Sequence, residues 1–564
     1  NILADSVYYD RSTQDNHSDK IRHSLAGTAE IQLDSSSSVK ITASGYAGTA
    51  QNSSSSTSEA LSEENAPVNS SVNNTSSKGD NSAFNANAIW RKKFKKKGRT
   101  LSVNFEDRYN FTNSNGYLHN LSDFYDAGGA VFSTDSTDQN KINSTTSNVA
   151  GIRATYTEPL SKKTYLELNY SFYNNNTTQK RASYNRDLTG KYSQLVDTLS
   201  NDYRYIYNTN SAGINYMFNG KKITYSFGGN VANTAFQQSD LVKDTTRQYD
   251  YYNLAPRANF TYKFNPYSGL RFNYNGSTQQ PTIDQLQPLT NNEDPLNVVI
   301  GNPALKQEFR NSLNLSFNNY KVLKERSIYV GTYFTFTNND ISSTYTIDSV
   351  GKRTTQYINV NGNYSGSLYG GYYIKIPKTK YRVFFRPQGN INHSNNFVNG
   401  LANLTKSYSV GSTFGVSYFK EEKLNFDISA TPTYSKSTSS ISTVAGTHYW
   451  TYDYSINGSV YPVKKLEIGT DIDFNLRQKI NAFDKNNNVI VWNAFIEKKF
   501  FKTEELTLRA SINDILNQNK GYDRSIQPNA IVERHYLTFQ RYGLITLTWN
   551  FKNKGGAGAP KSMF

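Results

Sequence analysis

The chain has 564 residues, 61 Lys and Arg against 45 Asp and Glu, and a formal net charge of +16. Aromatics make up 14% of a chain whose mean hydropathy is -0.68, so Tyr and Phe sit among Ser, Asn and Thr rather than in an aliphatic core. Cysteine is absent, which excludes a disulfide framework and thiolate metal sites. No apolar run approaches the ~18 residues of a membrane helix, so any membrane span must be β. Aromatics dispersed among polar residues suit strands whose two faces meet different solvents.

In chain order, the opening residues NILADSVYYD carry no Met and no signal peptide, and are read as part of a longer precursor. Residues 1–22 are expected to be the remnant of a first surface loop. From about residue 23 the chain alternates apolar and polar positions with period 2, over about twenty-one segments ending near residue 551. In TYLELNYSF, Leu166, Leu168, Tyr170 and Phe172 oppose Glu167 and Asn169. In VKKLEIGTDIDFNLR, Leu466, Ile468, Ile472 and Phe474 oppose Glu467, Asp471, Asp473 and Asn475, which the alternation places in a polar lumen with Ile472 toward lipid. The final segment alternates in the same way through Leu547, Trp549 and Phe551, the closing-strand pattern.

Short connections such as MFNGKK, KFNPYS and YFKEEK alternate with long ones at 51–83, 111–146, 174–210, 236–253, 278–307 and 515–538. Short turns at one rim and long loops at the other describe an all-β, transmembrane, antiparallel outer-membrane barrel, with periplasmic turns and extracellular loops. The barrel is expected over residues 23–551, with 552–564 as a periplasmic tail. The most basic turn holds Arg91, Lys92, Lys93, Lys95, Lys96, Lys97 and Arg99. Such a run could track nucleic-acid phosphates. Its flanking aromatics, Trp90 and Phe94, match those before the other short turns, so it reads as a lipid-headgroup contact, and no nucleic-acid partner is expected. The first and last segments run in the same direction. A single-chain barrel has an even number of strands, so a further strand ahead of Asn1 is expected, making about 22, together with a plug for so wide a lumen.

The stretch PTIDQLQPLTNNEDPLNVVIGNPALKQEFRNSLNLSF, residues 281–317, resembles TonB-dependent receptors, in which a Gly-Asn-Pro-x-Leu-Lys-Pro-Glu sequence enters a barrel strand. SINDILNQNKGYD at 511–523, INVNGNYSG at 358–366 and the terminal ITLTWNF agree with the large outer-membrane receptors that carry a regulatory domain and a plug ahead of the barrel. The resemblance implies that Glu308 faces the lumen and meets the plug, and that a TonB-type inner-membrane complex energises transport. Gln307 stands where Pro is usual. Ser367 and Leu368 stand where a second glutamate is usual, which puts a standard plug lock in doubt.

Six histidines share no ligand spacing, so no metal and no cofactor are expected. The lumen carboxylates read as hydrogen-bonding neighbours rather than acid/base pairs, and no Ser/His pair marks a rim enzyme. The Tyr-rich stretches at 117–129 and 247–253 could stack on a polar ligand or pack on one another. The functional reading is an importer of an unidentified solute through a plug-gated lumen. The alternative is a scaffold barrel in a larger outer-membrane complex, with a surface lipoprotein or other subunits as partners.

Overall fold

The computed structural model describes residues 9–288, 290–441, 447–479, 488–527 and 530–550. One sheet of 26 strands holds nearly all of them, and a separate two-stranded ribbon pairs Tyr522–Gln527 with Ala530–His535. Among the described residues no helix is long and apolar enough to cross a membrane. Twenty-one strands of the sheet form an antiparallel meander in which each pairs with the next. In chain order they are β1 (Tyr9–Asp34), β2 (Ser37–Leu61), β3 (Pro67–Lys93), β4 (Thr100–Tyr125), β5 (Val131–Pro159), β6 (Thr164–Arg186) and β7 (Asn201–Asn219). There follow β8 (Ile223–Asp240), β9 (Thr245–Asn265), β10 (Ser268–Gln279), β11 (Glu308–Lys321), β12 (Arg326–Asn338), β13 (Asn363–Lys375) and β14 (Tyr381–Val398). The last seven are β15 (Leu401–Lys420), β16 (Leu424–Ser439), β17 (Thr447–Val463), β18 (Leu466–Arg477), β19 (Val489–Phe500), β20 (Leu506–Asn513) and β21 (Tyr542–Trp549).

The connections at one rim have only two to six residues each. At the opposite rim the sequence reading needs correction. Two of the stretches read as long loops are largely strand: residues 51–61 pair with 67–78 around a five-residue turn, and 111–125 pair with 131–146 in the same way. Residues 9–22, read as loop remnant, pair with residues 48–61. The cause is physical. A crossing strand needs ~9–11 residues, whereas β1 to β6 have 23 to 29. Beyond the membrane both faces meet water, so the apolar alternation stops while the backbone ladder continues. Phe551 and residues 552–564 lie outside the described residues.

One face of the meander carries a band of exposed apolar side chains, among them Ile214, Phe227, Leu368, Val410 and Phe414, the surface a barrel offers to lipid. On β18, Ile472 pairs across with Ile456 and Trp492, while Asp473 lies between Ser455 and Val491. Asp473 and Asn475 line a polar recess with Asp453, Ser429 and Thr431; Asp471 alternates in step with them beside Asn457 and Asn493. Glu467 lies beside Glu497, itself 3.8 Å from Arg509. The outermost strands remain unpaired on one side among the described residues: β1 pairs only with β2 and β21 only with β20, and every residue of both is exposed. Twenty antiparallel steps separate these two edges, which therefore run parallel to each other.

The basic turn closes β3 on β4. Gly98 takes the left-handed backbone, φ +90°, that closes it, and the Phe94 N–H donates to the Arg99 carbonyl at 3.1 Å. Four of its seven cations meet carboxylates: Lys96 and Arg99 bind Glu158 at 2.6 and 2.7 Å, Lys92 binds Asp34 at 3.3 Å, and Arg91 lies 3.9 Å from Glu30. Lys93, Lys95 and Lys97 have no carboxylate within 4.0 Å among the described residues. These three are the cations that no carboxylate holds, and the other four brace the turn.

The face assignment on β18 is testable. Ile472→Arg should destabilise refolding into lipid vesicles by roughly 2–4 kcal/mol if the site lies at mid-bilayer. Asp473→Asn should refold nearly as the parent does, and equal losses in the two variants would reverse the faces.

Candidate functional site

Two segments leave the meander at its far rim and fold back across the concave face. The first, residues 280–307, joins β10 to β11. It begins with a single helical turn, Ile283–Leu286, whose capping box is complete: the Gln285 N–H donates to the Thr282 hydroxyl and the Thr282 N–H to the Gln285 side chain. The second is a hairpin between β12 and β13, Asp340–Ile347 paired with Arg353–Val360. The two segments share a ladder, because Asn297–Ile300 runs parallel to Arg353–Gln356.

The Gly-Asn-Pro-Ala-Leu stretch explains how they are joined. A Cβ on Gly301 would stand 2.0 Å from the Gln287 carbonyl oxygen, so only glycine permits this approach. Asn302 then works as a staple: its Oδ1 accepts from the Ala304 N–H and its Nδ2 donates to the Tyr357 carbonyl, each at 2.9 Å. Asn359 repeats the device from the hairpin side, accepting from the Lys306 N–H at 2.8 Å and donating to the Lys306 carbonyl at 2.9 Å. Leu305 and Leu286 enter a buried cluster with Tyr205 of β7 and Phe236 of β8, flanked by Tyr207, Tyr249 and Tyr251. Tyr249 and Tyr251, from the Tyr-rich stretch at 247–253, thus pack beneath the cap. Tyr117, from the other, lies 5.3 Å from Tyr192.

On the far side the contacts are polar. Asp284 binds Arg181 of β6 at 2.6 Å and accepts from Gln179 at 3.0 Å. Asn292 accepts from Lys141 at 2.6 Å and donates to Gln139 at 3.2 Å, both on β5. From β3, Asn73 donates to the Glu293 carbonyl at 3.0 Å and Asn69 to the Val350 carbonyl at 2.7 Å. The two segments therefore cap the lumen at the rim opposite the short turns. Beside them lies a cavity of about 640 Å³ lined by Ser and Asn of β1 to β5, with Lys141, Glu293 and Asp294 at its edge.

Burial of Leu286 and Leu305 favours the cap by about 1.5–3 kcal/mol each. Against this, Gln287 is 1% exposed and neither of its side-chain polar atoms has a hydrogen-bond partner among the described residues, a cost of about 1–3 kcal/mol per atom. The opposing terms are of similar size. Glu308, the inward glutamate of the sequence reading, is 5% exposed at the root of β11; its carboxylate accepts from the Ile341 N–H at 3.3 Å and lies 3.7 Å from Arg310. It therefore touches the capping hairpin. Ser367 faces Asn390 and Tyr333 across its strand. Among the described residues no group of His, Asp and Glu could hold a metal ion. The cap itself is what sequence reasoning missed, and the Gly301 and Asn302 pair was its one visible sign.

Lys141 lies 18 positions above Pro159 on β5, beyond the ~11 residues that cross the bilayer. Burial favours its neutral amine and lowers its pKa from 10.5 to about 8, opposed by the nearby Glu293. Between those values an unfolded chain holds a proton that the folded one has released, so stability rises with pH in that window. The thermal midpoint of the parent should accordingly gain on that of Lys141→Met from pH 8 to pH 10, and a constant difference would refute the linkage. Gly301→Ala should displace the cap without unfolding the meander. Proteolytic cleavage within 290–300 should speed up while the heat-modifiable gel migration of the barrel stays unchanged.

A sequence profile of the outer membrane protein beta-barrel family matches residues 92–549. No curated protein matches the chain. Among solved structures the chain is similar to the siderophore receptor PirA from Pseudomonas aeruginosa, at 10% identity over 82% of this chain and 77% of that one, with a TM-score of 0.36. It is also similar to the outer membrane transporter YddB from Escherichia coli, at 10% identity over 94% and 76%, TM-score 0.42. PirA from Acinetobacter baumannii aligns at 11% identity over 96% and 81%, TM-score 0.36. With the profile spanning most of the meander, this chain belongs to the outer membrane protein beta-barrel family.

Proposed function

We propose that this outer-membrane barrel is the translocating domain of a TonB-dependent importer, with a plug that fills the lumen and an energy-coupling partner in the inner membrane. The observation that carries this reading is the capped polar lumen: a wide inward face rich in Ser, Asn and Asp, covered at its outer mouth by segments of the chain itself. Its residues 281–317 keep the receptor-like sequence, and those residues build the cap. A channel of this width without a plug would leak, and the two parallel edges of the meander call for one more antiparallel strand. Both are assigned to polypeptide preceding β1. The long-loop rim is extracellular and the short turns are periplasmic. Glu308, buried at the root of β11, is read as the residue that a plug arginine meets.

A scaffold role is the second reading, and Ser367 favours it: the position that bears a second glutamate in such receptors carries a hydroxyl here. In that case the tall wall of β1 to β6 would seat partner subunits, a surface lipoprotein among them.

Intact-mass analysis of the protein purified from its own outer membrane tests the importer reading. A polypeptide well above 63.7 kDa, or a second one in the lumen, is expected. A mass near 63.7 kDa with nothing in the lumen would overturn the reading. Glu308→Gln should loosen the plug, raising the passage of small hydrophilic antibiotics, while the barrel still migrates as folded.

A further inference from the structure

We propose that the lipid-facing surface of β14 to β17 carries a binding site for a phosphorylated lipid of the leaflet at the long-loop rim. Four basic side chains meet there on neighbouring strands. His393 of β14 stands directly opposite Lys406 of β15, and Lys436 of β16 directly opposite His448 of β17. Lys406 pairs with Thr438 and Tyr408 with Lys436, so the two lysines are diagonal neighbours. Diagonal neighbours on one sheet face lie roughly 7 Å apart, within reach of a single phosphate for two such long side chains. All four residues share the alternation of Val410, Phe414 and Ile472, the face toward lipid. His393 is held in place by its ring, stacked on Tyr364 at 4.5 Å, and by Nδ1, 2.8 Å from the Gly362 carbonyl oxygen.

The height of the cluster is that of a headgroup. His393 stands 12 positions above Tyr381, Lys406 14 above Lys420, Lys436 12 above Leu424 and His448 15 above Val463, each counted from the short-turn end of its strand. A crossing strand uses ~9–11 residues, which puts these four just past the hydrocarbon. Beneath them run Tyr408, Tyr434, Trp450 and Tyr452, with successive ring centroids 6.2, 5.3 and 6.1 Å apart, an interfacial aromatic row. Lower still, Val410, Phe414 and Ile428 are exposed and offer acyl chains an apolar wall. No neighbouring acid neutralises the lysines: residues 363–420 and 428–452 contain no Asp or Glu, and among the described residues neither lysine has a carboxylate within 4.0 Å. By contrast Lys180 of β6, on the same face, stands opposite Asp202 of β7. Two like charges left this close repel each other, and an anion between them turns that cost into attraction. An anion at this depth, above an apolar wall, is the phosphate of a lipid.

The site is tested on the purified full-length protein, freed of lipid in an uncharged detergent and titrated with diphosphorylated lipid A under native mass spectrometry. Lys406→Gln combined with Lys436→Gln should weaken binding by about tenfold or more, the order expected for two lysines at an anionic headgroup. The corresponding pair of Arg substitutions and Lys180→Gln should bind as the parent does, with heat-modifiable gel migration showing that each barrel is folded. If the Gln pair does not fold, either single Gln variant should still lose about threefold or more. Lipid A stripped of its phosphates should bind weakly, and so should inorganic phosphate at the same concentration. Equal binding by the parent and the Gln variants, or by lipid A with and without phosphates, would overturn the site, and inorganic phosphate binding as tightly as the lipid would overturn the part of the acyl chains. That this leaflet is the outer one rests on the topology proposed above; the titration in detergent is independent of it and of import.

Discussion

Every backbone N–H and C=O that crosses the hydrocarbon must find its partner within the protein, because no water is there to replace it. That single constraint organises the molecule. It forces the long meander, sets each strand antiparallel to its neighbours, and makes the parity of the strand count matter. Among the described residues twenty-one strands satisfy every internal ladder and leave two outer edges that run the same way. An antiparallel closure between them is geometrically impossible without one more strand.

The same constraint explains what could and could not be read from the sequence. Inside the bilayer a strand has one face toward lipid and one toward the lumen, so Leu466, Ile468 and Ile472 alternate visibly with Glu467, Asp471 and Asp473. The alternating segments fall on most of the meander strands, but Arg353–Val360, which reads as one of them, belongs to the capping hairpin and not to β13. Above the bilayer the solvent is water on both faces, and stretches such as QNSSSSTSEA carry no alternation at all, yet they pair residue by residue for a further turn-to-turn length. Hydrophobic periodicity reports the environment of a strand. It does not report the strand itself.

The capped mouth was legible only in fragments. Gly301, Asn302, Leu305 and Glu308 stand out in the sequence, but their spacing fits a strand entry as well as it fits a junction between two crossing segments. What joins them is distant along the chain: Tyr357, Asn359 and Ile341 on one side, Tyr205 and Phe236 on the other. Asn69, Asn73, Gln139 and Lys141, which meet the cap from the opposite wall, sit in unremarkable polar strands. Nothing short of the assembled sheet brings them to the cap.

The tall wall of β1 to β6 has a consequence for how register is held. Ser53 to Ser56 face Asn73 to Ser76 on one side and Gln14 to His17 on the other, so neighbouring rungs are nearly interchangeable in size and polarity. A one-residue slip there would exchange hydroxyl for amide and cost little, whereas the same slip lower down would carry Phe84, Trp90 and Phe105 from lipid into the lumen. The alignment of the outer wall is therefore inherited from the membrane segment beneath it, much as the upper teeth of a zipper are set by the slider below. Length changes among the serines can be absorbed at the outer turns, and this part of the protein is free to grow or shorten without disturbing the barrel that carries it.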